Sequence, residues 1–349
     1  MEFNITLVAP LPCRWQFSYF TKLERRYSLD TIEEIRGLSG QLEFRDYNDH
    51  SFLVSAEVFD KVDKYKPLAT VRKKHLISSF PCIFLKLSAL IRREDKEIEE
   101  SFTRSDGSPI SQENREQFVS QLSVEALDER LFEVALAANL ARPSGLHYDA
   151  PMLFVNDVFL KYGRGVATSF SDAMTKASEL KWPRFKKLKI KAVLDWFDQI
   201  PGFSDRRSET PLGRALAAYS YLMRSDFGNE GPLALVWALL GLEALYGKGN
   251  QASKSQLLTK SEAYLGTRLQ HKKRYSWMYD FRSRLVHGDL DLIYAHNQFD
   301  ATEAHERFSE GIWDCEMLAT SMLLATLQKM CSENRLSLDF RYKVLTSEK

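Results

Sequence analysis

The chain has 349 residues, enough for two domains each with its own core. Lys plus Arg at 48 against Asp plus Glu at 47 leaves a formal charge of +1, so net charge gives nucleic acid no general attraction and any such contact must come from local clusters. Hydrophobic residues at 44% and charged residues at 27% are ordinary for a globular protein and exclude a low-complexity or membrane-embedded chain.

In chain order, Phe3, Ile5 and Leu7 alternate with Asn4 and Thr6, which predicts a strand. Leu42 and Phe44, then Phe52, Val54, Ala56 and Val58, alternate on either side of Tyr47-Asn48-Asp49-His50 and read as a hairpin. The polar stretch from Asp95 to Asn114, with Gly107 and Pro109, reads as a surface loop. Glu113 to Leu140 has helical periodicity and is broken by Ala141-Arg142-Pro143-Ser144-Gly145. Met152 to Val155 and Val158 to Leu160 flank Asn156-Asp157 as a second hairpin. Residues 1–180 are therefore expected to form an α+β domain, and 181–192 a basic linker with Lys181, Arg184, Lys186, Lys187, Lys189 and Lys191 around Trp182 and Phe185. After Pro201 the pattern is nearly all helix: 211–224, 231–246, 253–265, 271–287 and 302–331, joined by short links. Such spacing predicts antiparallel neighbours in an all-α bundle over 193–349, with the almost wholly apolar Leu233 to Leu245 at its centre.

Two charged residues interrupt apolar faces in that half. Glu243 lies among Val236, Leu239, Leu240 and Tyr246, and Arg282 among Tyr275, Met278, Tyr279, Leu285 and Val286. Packed together, the two helices would bring Glu243 and Arg282 face to face or into a shared cavity, either as a pair that fixes register or as one that orients the arginine. His287 follows, roughly 100° or more around the helix from Arg282, with Gly288 placed as the left-handed cap. Arginine presents a planar fork of donors to phosphate and keeps its charge; imidazole exchanges protons near neutrality. A histidine at a helix terminus also has a plainer reading, as a cation on the dipole.

The segment Tyr279-Asp280-Phe281-Arg282-Ser283-Arg284-Leu285-Val286-His287-Gly288 resembles the R-x4-H motif of HEPN domains, and its surroundings resemble the Apea-like branch. Leu242-Glu243-Ala244-Leu245-Tyr246-Gly247 upstream and the long terminal helix extend the likeness over roughly residues 190 to 335. Many HEPN motifs carry Asn, Asp or His where this chain has Ser283. The resemblance implies an HEPN-like helical bundle acting as a metal-independent endoribonuclease, its site formed at a homodimer interface, in antiphage defence or as a toxin. Arg282 would stabilise the phosphorane, His287 would serve as general acid or base, Glu243 would orient Arg282, and Ser283 would add a hydrogen bond.

RNA contacts are expected from Arg268, Lys272, Lys273, Arg274 and Arg284, and from Lys186 and Lys187, though the 181–192 cluster reads equally as a solvated face. Asp280 and Arg284 are spaced for a surface ion pair. No cofactor is expected, since no P-loop, G-x-G-x-x-G, H-E-x-x-H or G-x-S-x-G occurs. The four cysteines, Cys13, Cys82, Cys315 and Cys331, lack metal or redox spacing and read as reduced thiols. With no leader-like or membrane-spanning run the expected location is cytoplasmic, the expected partners are RNA and a second copy, and the amino-terminal domain would take a trigger or an inhibitor. Two other classes stay open: a non-catalytic dimerisation module, and a nucleotide or ligand sensor whose anion site is Arg282.

Overall fold

The structure, a computed structural model, describes residues 2–12, 22–45, 51–60, 64, 66–74, 82–92, 111–168, 170–223, 232–247, 254–268, 271–290 and 303–340. It divides into two compact units, one through Met1–Thr168 and the other from Ser169 onward, apart from Arg224–Asp226, which group with the first.

In the first unit, β1 (Glu2–Pro12), β2 (Leu42–Arg45), β3 (Ser51–Phe59), β4 (Cys82–Arg92), β5 (Met152–Val155) and β6 (Val158–Tyr162) form one antiparallel sheet in the order β2-β3-β4-β1-β5-β6. Both predicted hairpins are present. Leu42 pairs with Val54, and Val155 with Val158 across Asn156 and Asp157, whose φ angles of 46° and 64° give the left-handed pair that a tight hairpin turn needs. Asn156 also ties the turn to β1: Asn4 N–H donates to Asn156 Oδ1 at 2.9 Å and Asn156 N–H to Asn4 O at 2.8 Å.

Helices cover both sheet faces. Val8, Phe59, Phe84, Met152 and Phe154 pack with Leu68 and Val71 of α2 (Lys66–Lys74). The other face, with Ile5, Leu7, Leu87 and Leu153, lies under α1 (Lys22–Gly37) and α3 (Gln112–Ala141). Coverage on two sides explains why β1 is buried without a break from Ile5 to Leu11. Most of the predicted loop 95–114 lies outside the described residues; its last part opens α3.

The second unit is helical: α4 (Phe170–Glu179), α5 (Ile190–Phe197), α6 (Pro211–Tyr221), α7 (Pro232–Tyr246), α8 (Lys254–Leu265), α9 (Lys272–His287) and α10 (Glu303–Ser332). Thr210 caps α6, accepting from Gly213 N–H at 2.9 Å ahead of Pro211. An antiparallel sheet unit followed by helices matches the expected fold class at that level. The unit boundary differs from the expected one. It falls at 168–170, because α4 packs on α10 and Lys176 forms an ion pair with Asp314.

The run 181–192 is not a free linker. Trp182 is buried, its indole N–H donates to Gly266 O at 2.8 Å, and Lys186 N–H donates to Gln328 Oε1 at 2.7 Å. The bundle centre also differs: α10 is buried almost continuously from Cys315 to Gln328, whereas Leu233 and Leu240 of α7 are 55% and 39% exposed. The two helices meet at Gly241, where an added methyl would stand 3.0 Å from both Leu323 methyl groups.

Candidate functional site

α9 starts at His271 and ends at Gly288, both in the left-handed region (φ 58° and 78°). Asp289 N–H donates to Arg284 O at 2.8 Å and Gly288 N–H to Leu285 O at 3.4 Å, the double closure of a Schellman cap. His287 is thus the last residue of the helix, held at a fixed terminus rather than a fraying one. Tyr275, Met278 and Phe281 form its buried face; Val286, expected there, is 53% exposed. Phe281 takes that place against Trp277 and Phe308.

The predicted meeting of Glu243 and Arg282 is present. Arg282 Nη2 lies 3.2 Å from Glu243 Oε2, and the side chains keep only 19% and 15% of their exposure. Tyr279, one turn before Arg282, also donates its phenol hydrogen to Glu243. Its pKa is raised by burial first and then by the charge and hydrogen bond of Glu243, with Arg282 opposing. In the sequence Tyr279 stands only as part of an apolar stripe; its spacing of one turn from Arg282 is the signal for the contact. Arg282 Nε is buried and has no acceptor, so the pairing with Glu243 leaves part of the fork unused. Ser283 is half-buried. The His287 side chain is exposed, and among the described residues it joins no hydrogen bond or ion pair.

The expected basic contacts separate into two kinds. Lys272, Lys273, Arg274, Arg284, Lys186 and Lys187 are exposed. Arg268 is not: at 4% exposure it donates to Leu258 O and to Glu262 at 3.1 and 3.0 Å. Its guanidinium also lies 5.2 and 5.1 Å from the centroids of the Trp182 and Tyr275 rings, which themselves meet edge to face at 4.9 Å. This arginine holds the bundle together and is unavailable to RNA, and Trp182, buried in the same cluster, cannot take a base. Burial of Glu262 is outweighed by Arg268 and Lys272, which hold its carboxyl below the usual range. Asp280 and Arg284 do not pair as spaced: Asp280 meets Lys254, and Arg284 donates to Asp289 O at 3.2 Å. The outward turn of α9 at Asp280 faces α8, which supplies the nearer cation.

An arginine anchored through one nitrogen, an acid–phenol pair behind it and an exposed imidazole on the last turn can hold an oxyanion and move a proton. Lys273 and Arg274 stand roughly 12 Å away along the helix axis, a distance that suits neighbouring phosphates better than the same one. Among the described residues no helix is long and apolar enough to cross a membrane. No protein-family model matches the chain, and no curated protein or solved structure matches it either.

Proposed function

We propose that the helical unit is a metal-independent endoribonuclease of the HEPN type, acting in the cytoplasm on RNA. The observation that carries this reading is Arg282: half-buried, fixed by Glu243 and Tyr279, with Nε lacking an acceptor and a free imidazole five positions on. The 2′-hydroxyl of the substrate attacks its own phosphate, forming the 2′-O–P bond as the P–O5′ bond breaks. One proton leaves the 2′-oxygen and one reaches the 5′-oxygen; His287 serves one transfer and the same residue of a second copy the other. Arg282 neutralises the charge that builds on the phosphorane. Lys272, Lys273 and Arg274 supply contacts to the flanking backbone. The HEPN resemblance adds the setting of antiphage defence or a toxin.

The Glu243–Arg282 pair also favours a second reading, a non-catalytic dimerisation or RNA- or nucleotide-binding module in which the pair only sets helix register. RNA incubated with the wild type, Arg282→Ala and His287→Ala, each with and without EDTA, separates the two. The proposal expects wild-type cleavage in EDTA, 2′,3′-cyclic or 3′-phosphate ends, inert DNA, and inactive but folded variants. Folded variants that cut at the wild-type rate, or products with 3′-hydroxyl ends, would overturn it.

A further inference from the structure

The exposed residues of α9 fall along one line. Lys273, Trp277, Asp280, Arg284 and His287 lie within about 40° of Lys273 around an ideal helix, and all five are exposed. The one acid among them, Asp280, is neutralised from α8 by Lys254 Nζ at 2.5 Å. Arg284 spends one nitrogen on Asp289 O at 3.2 Å, and Lys273 joins no ion pair among the described residues. Arg274 adds an exposed cation beside Lys273. The line therefore carries cations on both sides of Trp277 and an imidazole at its end.

Trp277 is out of place for a structural tryptophan. A large aromatic ring stabilises most when buried, yet this one keeps 42% of its exposure. Its position is nonetheless fixed. The ring meets Phe281 edge to face at 5.3 Å, and a Cβ at Gly311 would stand 3.3 Å from its Cη2, so one corner is seated on α10.

The other described tryptophans are already engaged. Trp182 and Trp196 are buried and donate their indole N–H to Gly266 O and Arg335 O at 2.8 and 3.2 Å. Trp237 stacks on Tyr221 with centroids 4.2 Å apart, and Trp313 has Lys176 over its ring at 5.4 Å. Among the described residues, Trp277 alone sets an open indole between cations.

We propose that Trp277 is a stacking platform for one unpaired base of the RNA, with Lys273 and Arg284 meeting the phosphates on either side. The inference rests on the RNA-cleavage reading above and adds a subsite to it. Phosphates alone would use the cations and leave the indole idle; a base carried on its phosphate chain uses all three groups. The ring is held before the ligand arrives, so stacking costs little side-chain freedom. A duplex hides the faces of its bases, so the line selects single strands. Trp277 stands roughly 15 Å from His287 along the helix axis, which makes the stacked base one outside the cleaved bond and Trp277 a binding residue rather than a catalytic one.

The full-length protein is titrated with a short labelled single-stranded RNA carrying 2′-O-methyl groups, which 2′-hydroxyl attack cannot cut, and with the same strand made abasic at each position in turn. Trp277→Leu keeps an apolar contact with Phe281 and removes the aromatic face; Trp277→Tyr keeps a ring. The expected results are roughly tenfold weaker binding by Trp277→Leu, near wild-type binding by Trp277→Tyr, and a similar loss for the wild type when one base is removed. That abasic strand should cost Trp277→Leu nothing further, since base and ring act as one pair. Duplex RNA should bind both proteins alike. A wild type that binds every abasic strand as well as the intact one overturns the platform without need of any variant. So does a folded Trp277→Leu protein with wild-type affinity, and if its sedimentation has also changed, the indole belongs to a protein contact instead. In each of these cases the RNA reading stands. A wild type that binds none of the strands overturns that reading, and the platform with it.

Discussion

Glu243→Gln separates the orienting role of the Glu243–Arg282 pair from its structural one. The substitution keeps the shape and one acceptor oxygen, so Arg282 Nη2, at 3.2 Å from the carboxylate, still has a hydrogen-bond partner. What disappears is the charge. A charge-assisted bond is worth about twice a neutral one, a difference of about 1 kcal/mol. That value lies between an exposed pair at about 0.2–1 kcal/mol and a broken buried pair at about 3–5 kcal/mol, as exposures of 19% and 15% require. For a unit of this size, a loss of about 1 kcal/mol lowers the melting midpoint by roughly 2–4 °C. Cleavage should suffer more. A guanidinium freed to follow the solvent loses its alignment, and a displacement of about 1 Å costs roughly a hundredfold in rate, about 2.7 kcal/mol of barrier. Single-turnover cleavage of a defined RNA, measured beside thermal unfolding, gives both numbers. A rate loss of no more than about fivefold, the equivalent of 1 kcal/mol, would mean that the pair only fixes register and that Arg282 needs no orientation.

Asp128 on α3 has its pKa raised to about 6, chiefly by burial, against the opposing backbone hydrogen bond from Arg164 and the charge of Lys161. A carboxyl raised in the fold contributes stability below its unfolded value and loses it as pH rises through about 6, so Asp128→Asn should stabilise the protein by about 3 kcal/mol at neutral pH and by almost nothing near pH 3, as denaturation at the two pH values will show. Cys331 is pushed up to about 11 by burial, and Cys315 well above its usual range by burial and the charge of Asp314. Iodoacetamide followed by peptide mapping should leave both unmodified until denaturant is added. Arg268→Lys should lower the melting midpoint by several degrees and leave RNA affinity unchanged in filter binding, because a lysine cannot fill both the Glu262 hydrogen bonds and the ring contacts.

Sequence legibility followed how many faces of an element are covered and whether its polar residues face out. β2, β3, β5 and β6 have turn residues beside them and alternation within them, so their hairpins could be read. β4 could not, because Cys82 to Ile91 is nearly continuous apolar chain and periodicity has nothing to act on in a central strand. α10 hides its central place behind buried Thr320, Ser321, Thr326 and Gln328, which read as a polar face. Conversely, α7 looks central because exposed Leu233 and Leu240 complete its apolar circumference. Glu243 and Arg282 were legible as partners because each is a lone charge on an apolar face. The burial of Arg268 and Trp182 was not, since only the fold brings residues 182, 268 and 275 into one cluster.

The place of β1 in the sheet carries a cost during synthesis. It leaves the ribosome well before both of its neighbours, β4 at Cys82–Arg92 and β5 at Met152–Val155. Until both have emerged, an apolar strand with two open hydrogen-bonding edges has no native partner, and at about 5–20 residues per second that interval lasts roughly ten seconds or more. Slower translation before residue 92 would lengthen this exposure, whereas the same delay after residue 155 would leave the sheet already able to close. Silent codon changes between the codons for residues 12 and 92 should therefore alter the yield of native protein more than equal changes in the helical half.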